Sequence, residues 1–193
     1  MFCAGCDQRI ALDVRHCVVG IQTFHPSCAA RHRQRSVPAV SSAAAPAAIG
    51  VLEGIALVFN EPCGILRANA GTAFESFEPT ASDSSIRAGG QELRVDHRPG
   101  GLNGRFLQLA NDGGYLTFRF ELRDGIRERD ALAKARRGDF RGCSIGFRPR
   151  VGGSQFRGTV EHFLEGQQLD EISVLTERGP AWFGTHVRAS RLT

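Results

Sequence analysis

The sequence lacks any apolar run that approaches about 18 residues, the length that a membrane-spanning helix needs. Its first residues, MFCAGCDQR, also lack the basic start and the apolar stretch of a secretory signal. These two absences argue against membrane and secreted classes, so we expect the chain to stay in a reducing cytoplasm. In such a compartment, the six cysteines are expected to be metal ligands or free thiols rather than disulfides.

A strong charge imbalance is also missing, because the formal net charge is only +4. Such a modest excess favours solubility and does not by itself indicate a nucleic-acid partner. The basic run RHRQR at 31–35 lacks the interleaved aromatic residues, and the recognition helix, that nucleic-acid-binding proteins use. We therefore expect neither nucleic acid nor a membrane as a partner.

The composition changes sharply twice along the 193 residues. Residues 1–35 hold four of the six cysteines, and residues 36–49 read SVPAVSSAAAPAAI, an uncharged Ala/Ser/Pro linker. Residues 50–193 are globular in composition, and the whole chain is 41% hydrophobic, enough to build a core. The sequence therefore predicts a small N-terminal module, a linker and one larger domain.

Strand patterns dominate the larger domain. The clearest is Tyr115–Leu122, where Leu116, Phe118, Phe120 and Leu122 alternate with polar residues at a period of two. The other predicted strands are Val51–Phe59, Glu92–Asp96, Arg105–Ala110 and Leu169–Leu175.

One helix is predicted between Asp124, as its N-cap, and Gly138, as its left-handed C-cap. Its apolar stripe would comprise Ile126, Ala131, Leu132 and Ala135. Five or more short strands with one good helix predict a β-rich α+β domain, in the form of a closed barrel or a curled sheet.

Four N-terminal residues have the spacing of a zinc site, C-x2-C-x18-H-x2-C. Cys3 and Cys6 form one chelating pair, and His25 and Cys28 form the second. The pair at 16–17, His-Cys, is an alternative source of one ligand. The segment FHPSC resembles the second knuckle of LIM-type and treble-clef fingers, although only half of a LIM domain is present. We expect a structural Zn²⁺ here and no metal in catalysis, because four protein ligands leave no open position for a substrate.

Three segments of the larger domain carry side chains that could do chemistry. They are LRVDHRPGG with Asp96 and His97, GDFRGCSIGF with Cys143 and Ser144, and LDEISVL with Asp170 and Glu171. Each segment alone is compatible with an ordinary turn or a solvated strand end.

Read in order, these segments resemble the prohead (capsid maturation) protease family of tailed phages, which is similar in turn to the herpesvirus assemblins. The likeness begins with EGIALVFNE and GTAFESFEP, continues through the pair Asp96-His97 and a helix that ends in glycine, and reaches the S-x-G-F motif at Ser144–Phe147. It ends with the E-I-S-V strand at Glu171–Val174 and with Pro180-Ala181. The resemblance covers roughly residues 50–190 and implies an assemblin-like β-barrel.

The resemblance implies that Ser144 is the nucleophile, that His97 is the general base and that Glu171 orients the imidazole. A serine hydroxyl attacks only when a base lies within hydrogen-bond reach, and histidine titrates nearest neutrality. Asp96 and Asp170 are the alternatives for the third residue. Each adjoins a preferred residue and would point the opposite way on a strand.

Two further questions stay open in the sequence. Cys143 is a rival nucleophile, because a thiol beside a histidine is intrinsically more reactive than a hydroxyl. The donors of the oxyanion hole are not assigned, and Gly142, Cys143 and Arg148 are candidates by proximity in the sequence.

The implied function is a serine endopeptidase that processes phage capsid and scaffold proteins during prohead maturation and cleaves itself. It would act inside the assembling procapsid, in the host cytoplasm, with the major capsid protein and scaffold as substrates. We also expect a portal or other prohead protein as a docking partner, and we expect that the chain forms a homodimer. The alternative is a catalytically inactive, protease-like assembly protein that docks through its zinc module.

Overall fold

The computed structural model describes residues 46–67, 71–180 and 182–192, together with the strands Cys17–Val19 and Gln22–Phe24. The chain divides into two units, Met1–Ala45 and Pro46–Thr193. In the first unit, Cys17–Val19 (β1) and Gln22–Phe24 (β2) form an antiparallel pair. In the parts of the chain that the structure describes, no helix is long and apolar enough to cross a membrane.

The second unit is β-rich. Its strands are β3 (Ala48–Val58), β4 (Cys63–Arg67), β5 (Gly71–Phe77), β6 (Glu92–Val95), β7 (Gly104–Asp112), β8 (Tyr115–Arg123), β9 (Gly142–Arg148), β10 (Ser154–Arg157), β11 (Val160–Phe163), β12 (Gln168–Leu175) and β13 (His186–Ser190). Its helices are α1 (Asp83–Ala88) and α2 (Ile126–Arg137).

These strands form three sheets. The strand orders are β13-β3-β8-β7, which is antiparallel throughout, β10-β11-β5-β4, in which β11 and β5 run parallel, and β6-β12-β9, in which β6 and β12 run parallel. We call β6-β12-β9 the site sheet.

The expected closed barrel is wrong for the described residues. Closure requires the outermost strands of a sheet to hydrogen-bond to each other. Here β13 and β7 lie at opposite edges of their sheet, and each pairs with one neighbour, β3 and β8 respectively. The domain is therefore a packed set of three sheets with two short helices.

The alternation predicted on β8 is confirmed. Leu116, Phe118, Phe120 and Leu122 are each at most 3% exposed, whereas the intervening side chains are partly exposed. The predicted strands at 51–59, 92–96, 105–110 and 169–175 are also present, with ends that differ by up to three residues. Apolar residues at a period of two bury one face of a sheet, and this pattern was visible in the sequence.

Helix α2 is present, but two details of its prediction are wrong. Its N-cap is Gly125 rather than Asp124, because both carboxylate oxygens of Asp124 accept hydrogen bonds from Arg129 at 2.5 and 2.6 Å. Its first residue, Ile126, is 87% exposed and does not join the apolar stripe. The rest of the stripe (Ala131, Leu132 and Ala135) is buried, and Gly138 ends the helix in the left-handed conformation.

Candidate active site

The two faces of the site sheet differ in chemistry. Directly opposed residues of neighbouring strands share a face, so the register places two rows of polar and glycine residues on one side. The first row is Arg94, Ser173 and Ser144, and the second is Glu92, Glu171 and Gly146. The opposite face carries Leu93, Val95, Ile172, Val174, Cys143 and Ile145, of which all but Val95 are buried. We call the polar side the site face.

The S-x-G-F motif straddles these two faces. Ser144 and Gly146 lie on the site face, and Phe147, the next residue, points to the core. The Phe147 ring packs edge-on against Phe77 and Phe163, with ring centroids 4.7 and 4.9 Å apart. This aromatic cluster fixes β9 against the neighbouring sheet and so holds Ser144 in place.

His97 lies in a tight turn directly after β6. The Arg98 amide donates to the Val95 carbonyl at 3.0 Å, and both central residues, Asp96 and His97, have positive φ angles of 50° and 56°. Two such residues are characteristic of a type I′ turn, and Asp and His tolerate the left-handed region better than most side chains. The strand predicted through Asp96 therefore ends one residue earlier, and the turn redirects the chain at His97.

The turn brings His97 to the Glu171 carboxylate. Nδ1 of His97 lies 2.5 Å from Oε1 of Glu171, so the two groups share a short hydrogen bond. Glu171 is only 4% exposed, whereas the His97 side chain is 44% exposed. The imidazole thus has one edge against a buried carboxylate and the rest of the ring open to solvent.

Glycine at 146 makes room for that carboxylate. A Cβ atom on Gly146 would lie 2.6 Å from Cγ and 2.9 Å from Cδ of Glu171, closer than real contacts allow. Because Gly146 of the S-x-G-F motif has no side chain, the Glu171 side chain can lie against β9 while its Oε1 contacts His97.

Ser144 lies on β9 directly opposite Ser173 of β12. Facing residues of an antiparallel pair have Cβ atoms about 4.5–5.5 Å apart. The Ser173 hydroxyl in turn accepts a hydrogen bond from the His97 backbone amide at 2.7 Å. The buried Ser173 therefore links the His97 turn to the strand position of Ser144, which is itself partly exposed.

The two alternative carboxylates are engaged elsewhere. Asp96 accepts hydrogen bonds from the Thr176 amide at 2.7 Å, the Thr176 hydroxyl at 2.5 Å and the Glu177 amide at 3.2 Å. Asp170 accepts two hydrogen bonds from Arg148, at 2.7 and 2.8 Å. Glu171 is thus the one of these three carboxylates that contacts the imidazole.

Cys143 points away from the site face. It is 0% exposed, its backbone amide donates to the Thr185 hydroxyl at 3.1 Å, and burial raises the pKa of its thiol. A buried, protonated thiol is a poor nucleophile, so the geometry favours Ser144 over its neighbour. The same hydrogen bond to Thr185 occupies the Cys143 amide, one of the oxyanion-hole candidates.

Sequence reasoning missed Arg94. Its guanidinium contacts Oε2 of Glu171 and also donates to Oε2 of Glu92 at 2.8 Å. The signal was the alternation of Glu92 and Arg94 along β6, but the contact itself depends on the parallel register between β6 and β12, which no local pattern encodes.

A cleft of about 490 Å³ opens beside these residues. It is lined by Gly90, Glu92, Arg94, Gly146, Phe147, Asp170 and Glu171. A larger cleft of about 620 Å³, between the 89–93 segment and β7, contains none of the three predicted catalytic residues. Of these two clefts, the smaller one borders the Glu171 side of the site face.

The predicted zinc ligands Cys3, Cys6, His25 and Cys28 lie outside the described residues. Among the side chains that the structure does describe, no group of three or more His, Cys, Asp or Glu residues has the arrangement of a metal site.

Residues 37–193 match a protein family described as the caudovirus prohead serine protease. The matched range contains every strand and helix from β3 to β13 and all three predicted catalytic residues. No curated protein and no solved structure matches the chain.

Proposed function

Because the chain belongs to the caudovirus prohead serine protease family, we propose that it cleaves capsid and scaffold proteins during prohead maturation, with Ser144, His97 and Glu171 as its catalytic triad. The observation that carries this assignment is the 2.5 Å contact between His97 Nδ1 and Glu171 Oε1, on the sheet face that also presents Ser144. A serine, a histidine and a buried carboxylate that contacts the histidine are the parts that acyl transfer requires.

The contact with Glu171 also supports one tautomer of His97. The carboxylate accepts a hydrogen bond from Nδ1–H, which leaves the Nε2 lone pair free to act as a base. In the first half-reaction, Nε2 removes the Ser144 hydroxyl proton as Oγ attacks the scissile carbonyl, and the imidazolium then protonates the leaving amine. In the second half-reaction, Nε2 deprotonates a water molecule as the water oxygen attacks the acyl carbon. The imidazolium then gives that proton to Ser144 Oγ as the acyl–Oγ bond breaks, which releases the acid product and restores Ser144.

The substrates follow from the family and the compartment. A prohead protease would act within the procapsid on the major capsid protein and the scaffold, and we propose that the chain also cleaves itself. We propose extended, accessible segments as substrates, because the His97 side chain is 44% exposed and a cleft lined by Glu171 and Gly146 lies beside it.

Co-expression of the chain with its capsid and scaffold proteins tests this function. Ser144→Ala and His97→Ala are each expected to abolish cleavage, with losses in turnover of about a millionfold by analogy with other triads. Ser190→Ala is the matched control, since Ser190 is a hydrogen-bonded serine on β13 whose hydroxyl binds Glu53 instead.

Cleavage by Ser144→Ala at the wild-type rate would refute the assignment of the nucleophile. A wild-type chain that stays intact and leaves the capsid protein uncut would favour the non-catalytic assembly role. Mass spectrometry of the product termini then identifies the cleavage site.

A further inference from the structure

Arg94 occupies an unusual position for an arginine on the site face. One of its guanidinium nitrogens contacts Oε2 of Glu171, the carboxylate oxygen that does not face His97. Two others, Nε and Nη2, lie 2.8 Å from Oε2 of Glu92, which therefore anchors the guanidinium on its own strand. The Arg94 side chain is 29% exposed, so it forms a partial cover over a nearly buried carboxylate.

The two Glu171 oxygens therefore face different side chains: Oε1 is hydrogen-bonded to His97, and Oε2, which makes no hydrogen bond, forms an ion pair with Arg94. A carboxylate that is 4% exposed needs compensation for its lost hydration, and an imidazole bound to one oxygen supplies only part of it. The Arg94 charge supplies compensation at the other oxygen, and Glu92 fixes the guanidinium in place. Rotation of the carboxylate away from the imidazole would separate both pairs, so the ion pair favours the orientation that contacts His97.

We propose that Arg94 is a positioning residue of the active site, which pairs with Glu171 Oε2 so that Oε1 stays directed at His97. This inference rests on the triad proposed above. Arg94 does not touch the reacting atoms; it acts on His97 through Glu171.

Kinetics provide the first test. Arg94→Met is expected to lower kcat for a capsid-derived peptide by about 10- to 100-fold with little change in KM, since a small displacement of catalytic groups costs on this scale. Arg94→Lys, which retains the charge but not the fork, should recover part of the loss. Arg119→Met is the matched control, because Arg119 pairs with Glu53 on another sheet at a similar side-chain exposure of 35%.

An NMR measurement provides the second test, and it does not require cleavage. In the Ser144→Ala protein, the Nδ1 proton of His97, assigned by its loss in His97→Gln, reports the hydrogen bond to Glu171 through its low-field resonance. Arg94→Met should move this resonance upfield or broaden it, because the carboxylate is no longer held toward the imidazole, and Arg119→Met should leave it unchanged. Arg94→Gln, which also removes the charge, gives the same result if the methionine variant does not fold.

The two tests separate this inference from the proposed function. An Nδ1 proton resonance that Arg94→Met and Arg94→Gln leave unchanged overturns the role of Arg94, even if the wild-type chain is an active protease. A wild-type chain that fails to cleave refutes the proposed function, while a shifted resonance would still support the role of Arg94 in directing Glu171 at His97.

Discussion

Gly146 shows how a single missing side chain can shape this site. The Glu171 side chain passes over Gly146, and a Cβ atom there would approach Cγ, Cδ and Oε1 of Glu171 to between 2.6 and 3.0 Å. A methyl group would displace the carboxylate, and through it the hydrogen bond to His97. The glycine therefore makes room for the Glu171–His97 contact rather than for a turn, since it lies inside β9.

We expect Gly146→Ala to lower kcat by about 100-fold, because the displaced Glu171 no longer orients the imidazole. The variant should still fold, since Glu171 lies at the rim of a cleft into which it can move. Gly114→Ala is the control, because a Cβ atom on Gly114 meets no heavy atom within 4 Å. Steady-state kinetics and thermal unfolding of both variants check this prediction, and wild-type kcat in Gly146→Ala would contradict it.

Residue types could be predicted from the sequence more readily than their contacts. Ser144, His97 and Glu171 were selected through ordered motifs, and their catalytic roles stay predictions until they are tested. Arg94 and Ser173 escaped notice because their contacts join β6 to β12, two strands separated by more than 70 residues. The spacing of apolar residues along one strand does not reveal which other strand will pair with it.

At the scale of elements, Asp96 attaches the turn that carries His97 to the end of β12. Its carboxylate accepts hydrogen bonds from Thr176 and Glu177, at the point where β12 ends. Burial would raise the pKa of Asp96, but these hydrogen bonds and the charge of Arg98 outweigh it, so the pKa lies below its usual range. The turn that carries His97 is thus held to the strand end by a carboxylate that must be ionised.

This pKa shift predicts how stability depends on pH. Because the pKa of Asp96 is lower in the folded chain than in the unfolded chain, its contribution is complete above the unfolded value of about 3.9 and is lost as the pH falls through the folded value. We expect Asp96→Asn to lower the free energy of unfolding by about 1 kcal/mol at pH 7, a small effect because the turn is partly exposed to solvent.

Urea unfolding between pH 3 and pH 7 measures the difference between wild type and Asp96→Asn. The difference should be constant down to about pH 5 and shrink below about pH 4. Asp112→Asn serves as the control, because Asp112 is an exposed residue at the end of β7. A difference that is the same at pH 3 and pH 7 would show that the Asp96 charge does not hold the turn.

The elements also show where sequence patterns stop being informative. A period of two predicted β8 almost residue for residue, because that pattern needs only one buried face. The same logic extended the β6 strand through Asp96, where hydrogen bonds to a distant strand end favour a turn instead. Ile126 looked like a core residue of α2 but begins the helix at a position that faces solvent.

At the scale of the whole molecule, the strands were predicted largely correctly, but the way in which they pair was not: the edge strands of the sheets do not pair to close a barrel. Closure depends on which edges meet, and edge pairing is decided by contacts between remote segments. The pairing of β3 with β8 shifts register at Ala48/Gly50 and at Ile55/Leu57, and the pairing of β7 with β8 shifts at Phe106/Gln108. The sequence alone did not indicate these irregularities. The β-rich class was therefore predictable from composition and period, whereas the arrangement of its sheets was not.

The second unit, Pro46–Thr193, contains its own buried core and all three predicted catalytic residues. A unit with a complete core can fold alone. We therefore expect residues 46–193, expressed by themselves with Ser144→Ala, to unfold in urea in one cooperative transition. The same residues with the natural Ser144 should cleave a capsid-derived peptide with a kcat within about twofold of the full chain, because every site-face residue that the structure describes lies in this unit.

Metal analysis of the same two proteins tests the predicted zinc site. The spacing of Cys3, Cys6, His25 and Cys28 predicts about one Zn²⁺ per full chain, and a segment of that size without a core depends on such a staple to fold. Cys3→Ser with Cys6→Ser should remove the metal without changing kcat on a peptide, while weakening cleavage of the assembled prohead if the module docks the enzyme. Zinc bound to residues 46–193, or none on the full chain after anaerobic purification, would contradict the predicted site, because the four ligands all precede residue 46.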